Sequence, residues 1–145
     1  MSREMTIGIV SAIGAAALAA FAVLGGSESN PDQVRTLPYV IGFTLVMASI
    51  VFGLVVPWAE RRSQALRTNR PAKAGLVASI LGLLTVLAFW SGLPVIFGGA
   101  GVALGMVGQA RAAEAGRRRL AMAAIIVGAL AMLLAVGITI MDSAL

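Results

Sequence analysis

Apolar residues in this chain gather in long blocks separated by short polar and basic segments. The first block runs from Thr6 to Gly26 and is followed by SESNPDQVR, where Asn30-Pro31-Asp32 favours a turn. The second runs from Leu37 to Trp58 and opens at Pro38, which suits a first helical turn because N–H groups there lack intrahelical partners anyway. After the basic segment AERRSQALRTNRPAK comes an uncharged run from Ala74 to Ala110. The last block, Leu120 to Met141, follows RAAEAGRRR and ends in the tail DSAL. Apolar blocks of about 18 residues or more predict membrane-spanning helices.

The uncharged run sets the number of crossings. As one helix, Gly75 to Ala110 is roughly 54 Å long, against a hydrocarbon core of about 30 Å. Mean helix tilts near ~20° do not absorb that excess. The stretch FWSGLPV, residues 89–95, supplies a break: Pro94 disfavours helix at Leu93, and Ser91-Gly92 is poor helix material. The pattern therefore predicts a tight helical hairpin and five transmembrane helices, at about 6–26, 37–58, 75–91, 94–110 and 120–141. Basic cytoplasmic loops are expected at 59–74 and 111–119, within a single membrane domain covering the whole chain.

Charge supports the same count independently. With the N-terminus cytoplasmic and the C-terminus outside, ten basic residues fall inside: Arg3, Arg61, Arg62, Arg67, Arg70, Lys73, Arg111, Arg117, Arg118 and Arg119. Only Arg35 falls outside. A single crossing over the uncharged run puts the last four on the far side, against the positive-inside rule. Tyr39 and Trp90 then anchor the outer interface and Trp58 the inner one. The first block also has features of a signal peptide, but its apolar region exceeds the ~7–15 residues usual there, so a retained helix is expected.

Composition narrows the class further. Of 145 residues, 59% are hydrophobic and 12% charged, too few charges to coat a water-facing surface when soluble domains carry about 25%. Ten of the eleven basic residues are arginine, and the heavy use of Ala and Gly points to a GC-rich bacterial gene, hence the bacterial cytoplasmic membrane. Cysteine and histidine are both missing, which removes disulfides, thiolate nucleophiles, the common zinc sites and the usual general base. No catalytic, cofactor or metal residue can be nominated, and no enzyme activity is expected. No charge lies within an apolar block. Thr44, Ser49, Ser79, Thr85 and Thr139 are expected to bond to their own helix backbone.

Small residues recur at helical spacing. In the first block they are Gly8, Ala12, Ala15, Ala19, Ala22 and Gly26; in the fourth, Gly98, Gly101 and Gly105; in the fifth, Ala121, Ala124, Gly128, Ala131 and Ala135. Small side chains let backbones approach, and in lipid close packing replaces the hydrophobic drive between helices. Such faces serve either packing within the chain or docking of a partner. Two function classes follow: an accessory or scaffold subunit packing against a larger complex or itself, and a small oligomeric channel or carrier for an uncharged solute. The basic loops set orientation and meet anionic lipid head groups. They lack aromatics for stacking bases, so nucleic acid is not an expected partner.

A weak internal echo relates Lys73–Leu84 to Arg119–Leu130, both entering from the same side. The segment from Ala72 to about Val136 also resembles a class of small polytopic bacterial membrane proteins of unknown function. The resemblance rests on a GLVxxxLGLL-like helix at Gly75–Leu84, a Gly-rich second helix and a GRxRLAxAAIIVGAL-like helix at Gly116–Leu130. It implies a small membrane domain and brings no catalytic residue with it.

Overall fold

The computed structural model of the chain describes residues 3–24, 31–66 and 69–144, and these are helical throughout except at short turns. Helix α1 is Arg3–Leu24. Helix α2, Pro31–Ile50, passes through a π-helical turn, Val51–Val55, into α3, Val56–Leu66, as one uninterrupted rod. Helix α4, Arg70–Leu84, tightens into a 3-10 stretch, Thr85–Ser91, before α5, Leu93–Ala110. A single turn, α6 (Ala112–Ala115), precedes α7, Arg118–Ala144.

Four helical stretches are long and apolar enough to cross a membrane: Arg35–Arg62, Arg70–Ala88, Leu93–Ala110 and Arg118–Asp142. The apolar part of α1, Thr6–Phe21, is shorter. Large side chains that a soluble protein buries stand open here, among them Val46, Leu54, Leu87, Leu133 and Ile140. That outward greasy surface is what hydrocarbon solvates.

The break in the uncharged run falls where Gly92 and Pro94 place it. Ala88 leaves helical geometry (φ −110°, ψ 45°), and Gly92 turns the chain at φ +69°. A Cβ at Gly92 would lie 2.9 Å from the carbonyl oxygen of Ala15, so glycine is required there both for its conformation and for the close approach of α1. Ser91 secures the turn: its Oγ donates to the Ala88 carbonyl at 2.6 Å and accepts from the Leu93 N–H at 3.3 Å.

Two expected boundaries are corrected. The second helix starts at Pro31 instead of Leu37, so Pro31 holds the first-turn position and Pro38 lies within the helix. The segment 59–74 is not a loop along most of its length, since α3 runs to Leu66 and α4 begins at Arg70. Residues 67–68 lie outside the described residues, as do 25–30, which hold the predicted Asn30 turn position. The π turn has a local cause in Pro57, whose ring crowds the carbonyl four residues back in a regular α-helix. A turn one residue wider, with the Val56 N–H donating to the Val51 carbonyl, relieves that clash and keeps the rod continuous.

Packing is densest among α4, α5 and α7, with α5 in the middle; α1 leans on α5 and on α2. α4 and α5 run antiparallel, with Gly75 opposite Gly105 and Gly82 opposite Gly98. α7 runs antiparallel to α5, since Gly98 meets Gly128 and Gly105 meets Ala121. Buried Ile96 and Leu104 supply most of the larger core side chains, and the rest of the core is mainly alanine and valine.

Candidate functional site

The predicted packing residues come together inside the chain. Gly98, Gly101, Gly105, Ala121, Ala124, Gly128, Ala131 and Ala135 are all buried, on the facing sides of α5 and α7 and toward α4. A Cβ at Gly82 would stand 2.8 Å from the Gly98 nitrogen, and one at Gly98 would stand 2.7 Å from the Gly128 carbonyl oxygen. Two backbones therefore pass Gly98 at a distance only glycine permits. Gly101 takes the Ser79 side chain, Gly105 takes Ile125, and Gly108 takes the start of α4 at Ala72. These faces are covered by the chain's own helices.

In α1 the stripe is shifted. Gly8, Ala15 and Ala19 are buried, Ala12 is half-buried, and Ser11 joins the buried side against Gly99. Gly26 lies outside the described residues, as does the side chain of Ala22. Phe52, from the π turn, packs against Gly8.

The polar side chains tie helices together. Ser79 is corrected: its Oγ donates to the Ala124 carbonyl of α7 at 2.6 Å instead of to its own helix. Thr44 does bond its own helix, at the Val40 carbonyl (2.8 Å), and also donates to the Ser91 carbonyl at the hairpin tip (3.0 Å). Ser49, Thr85 and Thr139 bond within their own helices at Leu45, Leu81 and Ala135. Among the described residues, no buried side-chain nitrogen or oxygen is left without a hydrogen-bond partner.

Asn69 is the residue that sequence reasoning missed. It is 1% exposed, and its Nδ2 donates to the Gly108 carbonyl at 2.8 Å and the Gly116 carbonyl at 2.7 Å. Its Oδ1 accepts from the Ala72 N–H at 3.4 Å, the N-cap bond of α4. One amide thus joins the start of α4, the end of α5 and the turn into α7. That turn uses two left-handed residues, Gly116 (φ +69°) and Arg117 (φ +65°), the second unusual for a side chain with a Cβ. The signal was present in Asn69-Arg70-Pro71, an N-cap residue followed by proline in the first turn.

Asn69 also gathers the basic residues. Arg70, Lys73, Arg117, Arg118 and Arg119 are exposed and Arg111 half-exposed at the end of the bundle that Asn69 holds together, and Arg61 and Arg62 lie exposed toward the end of α3, which leads into it. Arg67 lies outside the described residues. Tyr39, on the α2 segment that leads toward the hairpin tip, is 79% exposed, whereas the side chain of Trp90 lies outside the described ones. Trp58 is exposed, and the Arg62 guanidinium sits over its ring, 5.2 Å from the centroid.

Two hollows flank the π turn. One, of about 450 Å³, lies between α1 and the rod, with Ala12, Ala48 and Phe52 along it and Ser49 and Glu60 as its polar groups. The other, of about 860 Å³, lies over Gly53, Leu54, Val55, Pro57 and Trp58, with Arg61 and Arg62 at its polar end. Gly53 and Pro57 belong to both. π turns frequently mark functional positions in helices. Among the described residues, no group of three or more carboxylates, histidines or cysteines is placed to hold a metal.

The fold and these surfaces are those of an all-helical protein with membrane-length apolar helices. No protein-family model, curated protein or solved structure matches the chain.

Proposed function

We propose that this is a non-enzymatic, multi-pass protein of the bacterial cytoplasmic membrane that acts as an accessory or scaffold subunit, packing against a larger membrane complex or itself. The observation that carries the reading is how the polar and small residues are spent. Glycine and alanine seams lock α4, α5 and α7 at backbone distance, and Asn69, Ser79 and Thr44 bond helix to helix. This makes a rigid unit whose interior chemistry goes to holding shape. The faces left for a partner are then the outward bulky ones, such as Phe43, Val46, Ile50 and Leu54 on the rod. Five crossings with a cytoplasmic N-terminus suit the charge distribution, ten basic residues on one side and Arg35 on the other.

Native mass after gentle extraction, with the associated proteins identified, tests the reading against the 14.8 kDa of the bare chain. A stoichiometric, different partner is the expected result. A closed homo-oligomer that passes an uncharged solute in reconstituted vesicles would instead make it a channel or carrier, with the path running between copies.

A further inference from the structure

We infer that the hollow over the π turn is a binding site for one anionic phospholipid, with the lipid phosphate on Arg61 and Arg62 and an acyl chain lying over Gly53, Leu54 and Val55. The inference rests on the membrane reading above, which puts Trp58 at the headgroup level.

Three observations converge. The hollow is apolar along its length and cationic at one end, the polarity of an anionic lipid seen from its side. It is an open groove of about 860 Å³ along the side of the rod, a shape that takes a chain laid lengthwise. Gly53 adds no side chain to its floor and, like Gly42 and Gly137, has no packing neighbour that requires a glycine. A Cβ at Gly53 meets nothing within 4 Å, whereas the seam glycines Gly82, Gly98 and Gly105 each meet another helix inside 3.0 Å. The π turn widens the helix at the same place, and Arg61 and Arg62 line the same hollow.

The electrostatics agree. Glu60, the acidic residue between Trp58 and Arg61, lines the other hollow, on the α1 side. Arg62 rests its guanidinium over the Trp58 ring, which holds the group at the rim while the edge N–H donors remain able to meet a phosphate. Arg61 and Arg62 are both exposed at this end.

The test uses the full chain, extracted in mild detergent and offered equal phosphatidylglycerol and phosphatidylcholine, with retained lipid read by native mass spectrometry. The wild type is expected to hold one phosphatidylglycerol in preference. Arg61→Gln with Arg62→Gln should weaken that retention by about fivefold per arginine. Gly53→Leu adds bulk where a Cβ meets nothing within 4 Å and should lower it with both arginines intact. Arg118→Gln with Arg119→Gln, at the start of α7 and not among the residues lining the hollow, should leave it unchanged. Equal retention by the wild type, the Arg61/Arg62 variant and Gly53→Leu overturns the site. Equal loss in the Arg118/Arg119 variant overturns it too, because diffuse charge then suffices. If the chain is instead recovered from the water-soluble fraction, the membrane reading fails and this inference with it.

Discussion

At the scale of single residues, Asn69 has the most depending on it. Its side-chain amide donates to two carbonyls, at the end of α5 and at the turn before α7, and its oxygen caps α4. Asn69→Ala leaves the buried Gly108 carbonyl without this donor and unties the exposed Gly116 turn, and the expected cost is about 1–3 kcal/mol in unfolding from mixed micelles. Asn69→Asp separates the two roles. An aspartate still caps α4 but cannot donate to Gly108 or Gly116, so it should fail to restore stability. Full rescue by aspartate would reduce Asn69 to a helix cap. Ser79→Ala, which removes only the bond to Ala124, should cost less, about 0.6 kcal/mol, as hydrogen bonds between membrane helices typically do.

At the scale of helices, glycines fall into two groups whose substitutions should differ in sign. Gly98 and Gly105 stand where another backbone passes, so Gly98→Ala and Gly105→Ala force the seams apart and should destabilise by about 1–3 kcal/mol. Gly42 and Gly137 have open space around them, so Gly42→Ala and Gly137→Ala should stabilise their helices by about 0.5–1 kcal/mol. The same unfolding measurement decides both, and a loss at Gly42 equal to that at Gly98 would mean the seams are not what the glycines serve. The hairpin break and the small-residue periodicity were legible in the sequence because Gly92, Pro94 and the Ala/Gly spacing act locally. The extension of α3 to Leu66 was not, because an apolar block marks where lipid ends and says nothing of where a helix ends. The π turn shifts register by one residue without altering composition, so Pro57 alone hinted at it. Ser79 was misread for a different reason: its acceptor, Ala124, comes close only once α7 has packed.

At the scale of the whole molecule, the helices alternate in direction. Gly8 meets Phe52 while Ala15 and Thr44 both meet Gly92, so α1 opposes the rod; Ser11 meets Gly99 and Ala15 meets Gly92, so α1 also opposes α5; α4 and α7 each oppose α5 and so run together, joined at Ser79 and Ala124. Such alternation follows if each helix crosses once, yet α1 is the element for which crossing is least secured by length. Its apolar part, Thr6–Phe21, spans roughly 24 Å at helical rise, short of the ~30 Å core, while the three later spans and the rod each qualify. The two ends of the chain therefore report on different questions. A single cysteine at Ser143, in a chain that has none of its own, reads the side on which α7 emerges. One at Ser2 reads whether α1 has crossed. Five crossings require an impermeant thiol reagent to label Ser143→Cys in intact cells and Ser2→Cys only after lysis. Labelling of both in intact cells leaves four crossings and overturns the lengthwise packing of α1 on the rod and α5. Protection of Ser143→Cys reverses the sidedness argued from the arginines, and with it the placement of Arg61 and Arg62 against the inner leaflet.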